Sequence, residues 1–361
     1  MKALDGTFMA MIFNTSQRRR LLKFEADLLQ IALAALVVLT MTPGCEVPAV
    51  MRSLLPTATF HEKLNLHAVD FFEDEQVVEL CEAIEDNDLD EMKRLIAAGV
   101  DVNTIGKGGV TPLFWAFPDN QLERFVLLLK KDADPNVRLT SDLGLPNVFR
   151  SGDTVMHLAA RSQFPTQFLE VMKHGGDPTV PGRHGDTVFH EIIRAGVRNA
   201  HERIAAAVAK GADINAIDHL EATPIETAVG RFGQYDLAIQ LLEMDADPTV
   251  VSDDRLGNTI HLVLAKKRKK DLGRVPTLPH EYASIQRFLA ALQARGYDVD
   301  QAQEDIERWA ELSKQNPARP GWFRKNEILR LKKRNARVQK AEQHATEQSS
   351  GKHVEKADAS Q

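Results

Sequence analysis

Cysteine, aromatic residues and long apolar runs are all scarce in this sequence of 361 residues. There are only two cysteines, Cys45 and Cys81, and aromatic residues make up 6% of the chain. Two cysteines cannot supply the set of disulfides that stabilises many small secreted domains. Because aromatics are few, the core must consist mainly of Ala, Leu, Ile and Val, as closely packed helix pairs require. Cys81 follows an apolar stretch and is expected to be an inert, packed thiol.

The main apolar stretch, residues 28–41, is shorter than the about 20 residues that a membrane-spanning helix needs. It follows the basic residues 18–20 and precedes small residues, an arrangement typical of a secretory signal. We therefore expect residues 1–44 to be a signal peptide and the chain to be exported. Residues 18–23 also resemble a twin-arginine export motif, but Glu25 and Asp27 favour an ordinary basic head.

Cys45 stands directly after this stretch. The small residues before it resemble the bacterial lipobox, in which the cysteine is acylated, although Thr42 stands where that motif usually has leucine. The resemblance implies lipidation at Cys45 and a membrane-anchored lipoprotein of the bacterial cell envelope. A plain cut and an uncleaved anchor remain open. Residues 45–73 would then be a tether.

No combination of residues typical of a catalytic or metal site stands out. Residues 106–109 are glycine-rich but lack the long loop and the terminal Lys-Ser/Thr of a nucleotide cradle. His157 and His190 recur at the repeat spacing described below, and no cysteine or carboxylate cluster at ligand spacing accompanies them. We therefore expect no catalytic residue, no metal and no cofactor, and a protein that is not an enzyme.

A short aspartate phrase recurs through the middle of the chain. Its aspartates lie 33, 43, 36 and 34 residues apart and are Asp101, Asp134, Asp177, Asp213 and Asp247. A period near 33 residues is typical of stacked-repeat proteins. Between these turns, threonines open apolar runs: Thr111, Thr154, Thr187 and Thr223. A threonine in that place caps the first turn of a helix, and proline suits the position after it.

These phrases resemble the ankyrin repeat, with its threonine-proline-leucine-histidine helix start and its glycine-alanine-aspartate-x-asparagine turn. The resemblance implies an all-α solenoid of about five to six helix-turn-helix units over residues 74–300, in which His157 and His190 bond to backbone and threonine hydroxyls. Phe114 and Glu226 replace this histidine in two copies. In a sixth copy, beginning at residue 257, His261 arrives one residue early. Residues 138–152 and 266–280 are expected to be inserted loops.

The resemblance also implies where a partner protein would bind, because ankyrin partners contact the first helices and the hairpin tips. On the first helices it selects Trp115, Arg161, Glu191, Arg194 and Arg231. At the tips it selects Lys107, Arg183, His184, His219 and Arg255. Exposed tryptophan and arginine often dominate interface energies. Alternatively, the charged residues are merely solvated and Trp115 is partly buried.

Beyond the repeats, residues 301–341 are expected to form a capping helix, with Ile306, Trp309 and Leu312 closing the stack, and then an exposed charged helix. Residues 342–361 are polar and expected to be disordered. Two segments are strongly basic, residues 266–270 and 324–340. Such runs can bind nucleic acid or anionic lipid, although a solvated loop is the simpler interpretation of the first.

The sequence thus predicts a non-enzymatic protein-binding scaffold that a lipid anchor holds at the envelope. A first alternative is a cytoplasmic or host-delivered ankyrin protein, with a start at Met9 or Met11 or an uncleaved apolar stretch, whose basic tail contacts nucleic acid. Export disfavours nucleic acid as a partner. A second alternative is an enzyme with a site across the inserted loops.

Overall fold

The protein is all-α. The computed structural model describes residues 59–143, 148–253, 255–276, 278–319 and 321–358, and these contain fifteen α-helices and no strand. Every helix in these ranges is too short or too polar to cross a lipid bilayer. The chain divides into two compact units, one ending at Ser141 and the other beginning at Asp142.

The first unit contains five α-helices: α1 Phe60–Leu64, α2 Glu75–Glu85, α3 Leu89–Ala97, α4 Pro112–Ala116 and α5 Leu122–Leu129. Helix α2 packs against α3 and α4, and α4 packs against α5. The core includes the fully buried side chains of Leu80, Leu113 and Phe125. Cys81 is buried with them, which confirms its predicted packing, and burial raises the pKa of its thiol so that it stays protonated.

The second unit contains ten α-helices. They are α6 Val155–Arg161, α7 Gln167–Lys173, α8 Val188–Ala195, α9 Ala200–Ala209, α10 Pro224–Thr227, α11 Tyr235–Glu243, α12 Thr259–Asp271, α13 Pro279–Ala294, α14 Val299–Gln315 and α15 Arg324–Asp358. Helices α6, α8, α10, α12 and α14 pack successively in one row, and α7, α9, α11 and α13 pack in a second row. The unit is therefore a series of helix pairs, each of which buries its apolar side against the next.

Each of the four predicted threonines is the N-cap of a helix. The hydroxyls of Thr111 and Thr223 accept from backbone amides three residues on, at 3.4 and 3.3 Å. Where the third helical residue is histidine, its Nδ1 lies 3.1 Å from Thr154 Oγ1 in one copy and 2.8 Å from Thr187 Oγ1 in another. The hydroxyls of Thr111 and Thr223 thus satisfy donors that the first helical turn leaves unpaired.

The sixth copy of the repeat has the same spacing between cap and histidine as the earlier copies. Asn258, and not Thr259, is the N-cap of α12, and its Oδ1 lies 2.6 Å from Nδ1 of His261. The histidine therefore stands three residues after the cap, as it does in the Thr154 copy. Asparagine is as good an N-cap as threonine, which explains why counting from Thr259 made His261 seem early.

The five aspartates form the same turn in every copy. A carboxylate oxygen of each accepts from the backbone amide two residues on, at 2.8 Å in the first four copies and 2.7 Å at Asp247. Asparagines join successive turns within each unit: Asn103 Oδ1 accepts from the amide of Asp134 at 2.7 Å, and Asn215 Oδ1 from that of Asp247 at 2.8 Å. Asx turns of this kind define the chain reversal without a strand.

The loops after the turns also share one geometry. A backbone amide donates to the carbonyl oxygen four residues on, from Gly106 to Val110, from Gly182 to Asp186 and from Asp218 to Ala222, at 2.7, 2.8 and 3.0 Å. Each loop ends directly before a capping threonine. We call the segments 103–109, 180–185 and 216–221 the hairpin tips.

Two fully buried arginines close the ends of the first helices. In the first unit, Arg124 donates to the carbonyls of Ile84, Ala116 and Pro118 at 2.8, 3.3 and 2.6 Å. In the second, Arg203 donates to four carbonyls beyond and at the end of α6: Ala159, Ala160, Ser162 and Phe164, at 2.7 to 3.1 Å. The last carbonyls of a helix lack intrahelical partners, so a buried guanidinium here satisfies several at once.

One expectation about the later part of the chain is wrong. The segment 266–280 is not one loop, because α12 continues through Asp271 and α13 begins at Pro279. The predicted charged helix is present as α15, and its apolar contacts include Ile328 and Leu331, which are buried, whereas Leu329 is 53% exposed. The backbone of α15 is helical through Asp358, and Ala, Glu, Gln and Lys in its last part favour helix. Residues 144–147 of the other insertion lie outside the described residues.

Candidate functional site

The candidate site is the row of charged side chains on the first helices of the second unit, together with the adjoining hairpin tips. Two repeats place an arginine at the end of the first helix and an aspartate just before its N-cap. The pairs are Asp153 with Arg161 and Asp186 with Arg194, each separated by eight residues. Two helical turns bring such residues to the same side of a repeat. We call this set, with Asp218, Glu191 and Arg150, the charged row.

The arginines of the charged row are held from two sides. Arg161 Nη1 lies 2.6 Å from Asp153 Oδ2, and its Nη2 donates to the carbonyl of Val148 at 2.6 Å. Arg194 bonds to Asp186 and, through Nη2, to Asp218 Oδ2 at 2.5 Å. Its guanidinium and the His219 imidazole hold the pKa of the Asp186 carboxyl below its usual value, against the opposing effect of burial. The pairs with Asp153 and Asp186 lie within one repeat, and the pair of Arg194 with Asp218 joins two successive repeats.

Glu191 lies at the centre of the charged row and is only 2% exposed. Its two carboxylate oxygens accept from Arg150 Nη1 at 2.8 and 3.1 Å, and Arg161 Nη1 lies 3.7 Å away. Burial raises the pKa of this carboxyl, although both arginines favour the ionised form. Breaking such a pair leaves an uncompensated buried charge, so the row is expected to stabilise the stack.

The structure therefore changes the role of several predicted partner-binding residues. Arg161, Glu191 and Arg194 were selected as partner-binding residues, but their charged groups form ion pairs with other residues of the charged row. Arg231 differs from them, because a π-helical turn, Ala228–Phe232, adds a residue and Ala222 replaces the aspartate before the cap. Arg231 is exposed and lies over the ring of Phe232.

Trp115 was expected on the exposed side of a first helix, and this expectation is wrong. Its side chain is 3% exposed, stacks on the His61 ring at 4.4 Å and lies against Phe71 and Phe72. The indole Nε1 donates to Glu85 at 3.0 Å. The segment that precedes the first repeat covers this tryptophan, and the repeat pattern alone gave no signal of that cover.

The hairpin tips keep most of the exposed candidates. In the first unit, Lys107 is exposed beside Ile105, which is 63% exposed. In the second unit, His184 and His219 are exposed, with ring centroids 5.5 Å apart. The His219 Nδ1 lies 2.9 Å from Asp186.

Two further arginines among the candidates are partly occupied. Arg183 is half-buried and lies 3.3 Å from Asp142. Arg255 lies 2.5 Å from Glu226, whose pKa burial raises to about 7.

Sequence reasoning missed the apolar component of the tips. Ile217 and Leu220 are 46% and 47% exposed on the same tip as His219. Ile105 and Ile217 stand two residues after Asn103 and Asn215, so they occupy equivalent positions. This equivalence was the available signal, because an apolar residue repeated at a loop position cannot be explained by helix packing.

The histidines and one acidic cluster show what the site can do chemically. His190 Nε2 lies 2.9 Å from the carbonyl of Ala222, and burial lowers the pKa of its imidazole, so the ring is a neutral structural group. Possible ligand atoms of Asp186, Asp218 and His219 lie within 4.8 Å of one another. Arg194 already bonds to both of these carboxylates, so the cluster is compensated by a fixed positive charge.

A comparison of the sequence with models of known protein families finds no match. The acylation predicted at Cys45 and the signal peptide at residues 1–44 lie outside the described residues.

Proposed function

We propose that this chain is an ankyrin-like helical-repeat protein whose activity is to bind another protein through its hairpin tips, without a chemical step. The observation that carries the proposal is the recurrence of one Asx turn at five aspartates, followed in several copies by the same loop and a capped helix. A fold made of repeated units presents a surface composed of equivalent positions. Such a surface suits recognition of a macromolecule.

The division of roles among the side chains supports binding at the tips rather than along the first helices. The arginines of the charged row have buried or half-buried carboxylate partners, and separating them would cost the energy of desolvated ion pairs. The tips instead combine exposed apolar, imidazole and cationic groups. Such a mixture resembles the centre of a protein interface, which is apolar with a polar rim.

Within the second unit, the tips 180–185 and 216–221 form the strongest candidate surface. Ile217 and Leu220 provide exposed apolar area, and His184 and His219 lie side by side. Neighbouring exposed apolar side chains that polar groups surround are typical of interaction sites.

Site-specific photo-crosslinking tests this surface. A photoreactive phenylalanine analogue replaces His184 or His219, and the matched control carries it at His201, an exposed histidine of α9 on the other helix row. In cells that produce the chain naturally, we expect the first two positions to crosslink to the same protein and His201 to crosslink to none. Equal products from all three positions, or none from any, would refute binding at the tips.

The second part of the proposal is that the chain is exported and anchored at the bacterial envelope through Cys45. The basic head, the apolar stretch 28–41 and the small residues before Cys45 support it. Metabolic labelling with a fatty acid tests it by comparing the wild type with Cys45→Ser. Labelling that depends on Cys45 is the expected result, and an unlabelled wild type in the soluble fraction would contradict the anchor.

The basic segment 324–340 gives the nucleic-acid alternative little support. Lys332 bonds to Asp253, Arg334 lies 2.7 Å from Asp305, and Arg330 lies 4.0 Å from the same aspartate. These cations hold α15 against the rest of the second unit. Fewer of them are therefore available to phosphates than the sequence indicates.

A further inference from the structure

The basic run 266–270 lies on α12, and the helix distributes its side chains in different directions. Three of the five have partners in the second unit: Lys266 with the carbonyls of Val229 and Gly230, Lys267 with Asp271, and Lys270 with Glu281. Arg268 and Lys269 form no ion pair with any residue that the structure describes. Two adjacent cations thus remain available on one side of the helix.

Arg268 and Lys269 line a groove of about 890 Å³ in the second unit. Helix α12 contributes one face to it, with lining residues that recur at helical spacing and include Leu262, Ala265 and Leu272. Helix α14 contributes another face, which includes Ile306, Trp309 and Ala310. Leu272 is 54% exposed, and Leu262, Ala265 and Ala310 are partly exposed. Ile306 and Trp309 are only 7% and 8% exposed, so the apolar area that a ligand can reach comes mainly from the other four residues. We call these six apolar residues the groove floor.

The charge around the groove is strongly one-sided. Besides Arg268 and Lys269, its lining includes four further cations: Arg255, Arg274, Lys314 and Arg324. The one carboxylate among the lining residues is that of Glu226, which pairs with Arg255 at 2.5 Å. The chain as a whole has a formal net charge of −6, so this concentration of positive charge is local.

We propose that this groove binds an acidic amphipathic helix of another protein. Apolar side chains of that helix would contact the groove floor, and its carboxylates would pair with the surrounding cations. Laying an amphipathic helix into an apolar groove is a recurring mode of peptide recognition. The lining residues along α12 extend from its N-cap, Asn258, to its C-cap, Leu272, which corresponds to about 21 Å. That length accommodates about four turns of a partner helix.

Charge complementarity and shape select this occupant over other anions. The cations come from α12, from the segments before and after it and from the ends of α14 and α15, so they surround the groove rather than converge on one point. Two of them have partners of their own, Arg255 with Glu226 and Lys314 with Glu311. A small anion would engage few of them. A membrane surface or a nucleic-acid backbone could reach the cations but would leave the groove floor unoccupied. An acidic amphipathic helix would contact both the cations and the groove floor.

This site is separate in sequence from the hairpin tips of the proposed function. The tips include residues 180–185 and 216–221, whereas most of the groove comes from residues 255–274 and 306–324. Binding at one site can therefore fail while the other is retained, and the two are tested with different variants.

The test uses the full chain and a labelled peptide of about 14 residues, because that number of helical residues spans about 21 Å. Leucines recur at helical spacing and glutamates occupy the other positions. A scrambled peptide of the same composition and a peptide with lysine in place of glutamate are the ligand controls. Fluorescence anisotropy measures each affinity at low and moderate salt.

Two protein variants with equal charge change locate the binding. The groove variant carries Arg268→Glu, Lys269→Glu and Arg274→Glu. The control variant carries Lys130→Glu, Lys131→Glu and Lys210→Glu, which reverse three exposed cations outside the groove. A further variant, Leu272→Ser, tests the groove floor. Far-UV circular dichroism and thermal unfolding establish that each variant is folded.

We expect saturable binding of the acidic peptide that weakens about tenfold or more in the groove variant and stays within about twofold in the control variant. Leu272→Ser should weaken it about threefold or more, and both control peptides should bind about tenfold more weakly. Equal loss in the two charge variants, equal binding of the scrambled peptide, or no saturation would overturn the proposal. Binding of anionic vesicles or duplex DNA that is lost in the groove variant, without peptide binding, would instead identify a lipid or nucleic-acid surface.

Discussion

The most demanding prediction concerns Arg203, a fully buried cation. The structure gives it no ion-pair partner among the described residues. Its two terminal nitrogens donate to the carbonyls of Ala159, Ala160, Ser162 and Phe164. Its guanidinium also lies 5.7 Å from the centre of the Phe168 ring. Burial lowers the pKa of this guanidinium, but an arginine remains charged, so the carbonyl dipoles compensate the charge.

Replacing Arg203 with methionine keeps a long apolar side chain and removes the donors. Each buried carbonyl left without a partner costs about 1–3 kcal/mol. The carbonyl of Ala159 keeps the hydroxyl of Ser162 as a donor at 3.1 Å, so the carbonyls of Ala160, Ser162 and Phe164 are the ones that lose their arginine partner. Relief of the desolvated charge and partial access of water offset part of that loss. We therefore expect Arg203→Met to lower the free energy of unfolding by about 3–5 kcal/mol. Arg203→Lys should recover only part, because an ammonium cannot reach carbonyls in so many directions.

Chemical denaturation followed by far-UV circular dichroism measures this change. The matched control is Arg198→Met, because Arg198 is exposed and should change the free energy of unfolding by less than about 0.5 kcal/mol. If Arg203→Met cost no more than the Arg198 variant, the carbonyl-closing role of the buried arginine would be refuted.

Three further predictions follow from the same contacts. Burial lowers the pKa of His61 to about 4, so the free energy of unfolding should fall as the pH falls below the unfolded pKa of about 6.5. His61→Leu should remove about 2 kcal/mol of that loss between pH 7 and pH 5, measured by chemical denaturation at each pH. An unchanged dependence of the free energy of unfolding on pH in this variant would refute the prediction. Burial raises the pKa of Glu226 to about 7, so its contribution is lost as pH rises, and Glu226→Gln should remove about 2 kcal/mol of the loss between pH 5 and pH 8. Parallel pH profiles of that variant and the wild type would contradict it. Asn215→Ala should lower the free energy of unfolding by about 1–2 kcal/mol, because it removes the bond that joins two aspartate turns. Asn199→Ala, at another half-buried asparagine, should lower the free energy of unfolding less.

The periodic features were the most predictable part of the fold. Four threonine caps and five aspartate turns are visible in the sequence because each depends on a local hydrogen bond within three residues. The structure confirms that the fold is all-α. The cap at Asn258 was not predicted, because residue types other than threonine can also cap a helix.

Burial at the ends of an element could not be predicted in the same way. Trp115 belongs to a repeat, but the groups that cover it, His61 and Phe72 among them, come from the chain before the repeats. The burial of Arg203 has no local signal in the sequence, because its four acceptors lie about 40 residues earlier. Long-range contacts of this kind depend on packing between elements.

The sequence identified only some residues of the charged row. The sequence selected Arg161 and Arg194 by repeat phase, and the structure pairs them with Asp153 and Asp186. The eight-residue separation was present in two copies of the sequence. This separation alone did not predict an ion pair, because the direction of each aspartate depends on the loop before the cap.

The central claim is that the middle of the chain consists of interchangeable stacked units, and removing one unit tests it most directly. Deletion of residues 187–222 joins Asp186 to Thr223 and removes one full repeat, while deletion of residues 205–222 removes half of one. Because each repeat contacts only its neighbours, we predict that the full-repeat deletion still unfolds cooperatively by far-UV circular dichroism, with reduced stability, and that the half-repeat deletion does not. Loss of the folded state in both deletions would contradict the account.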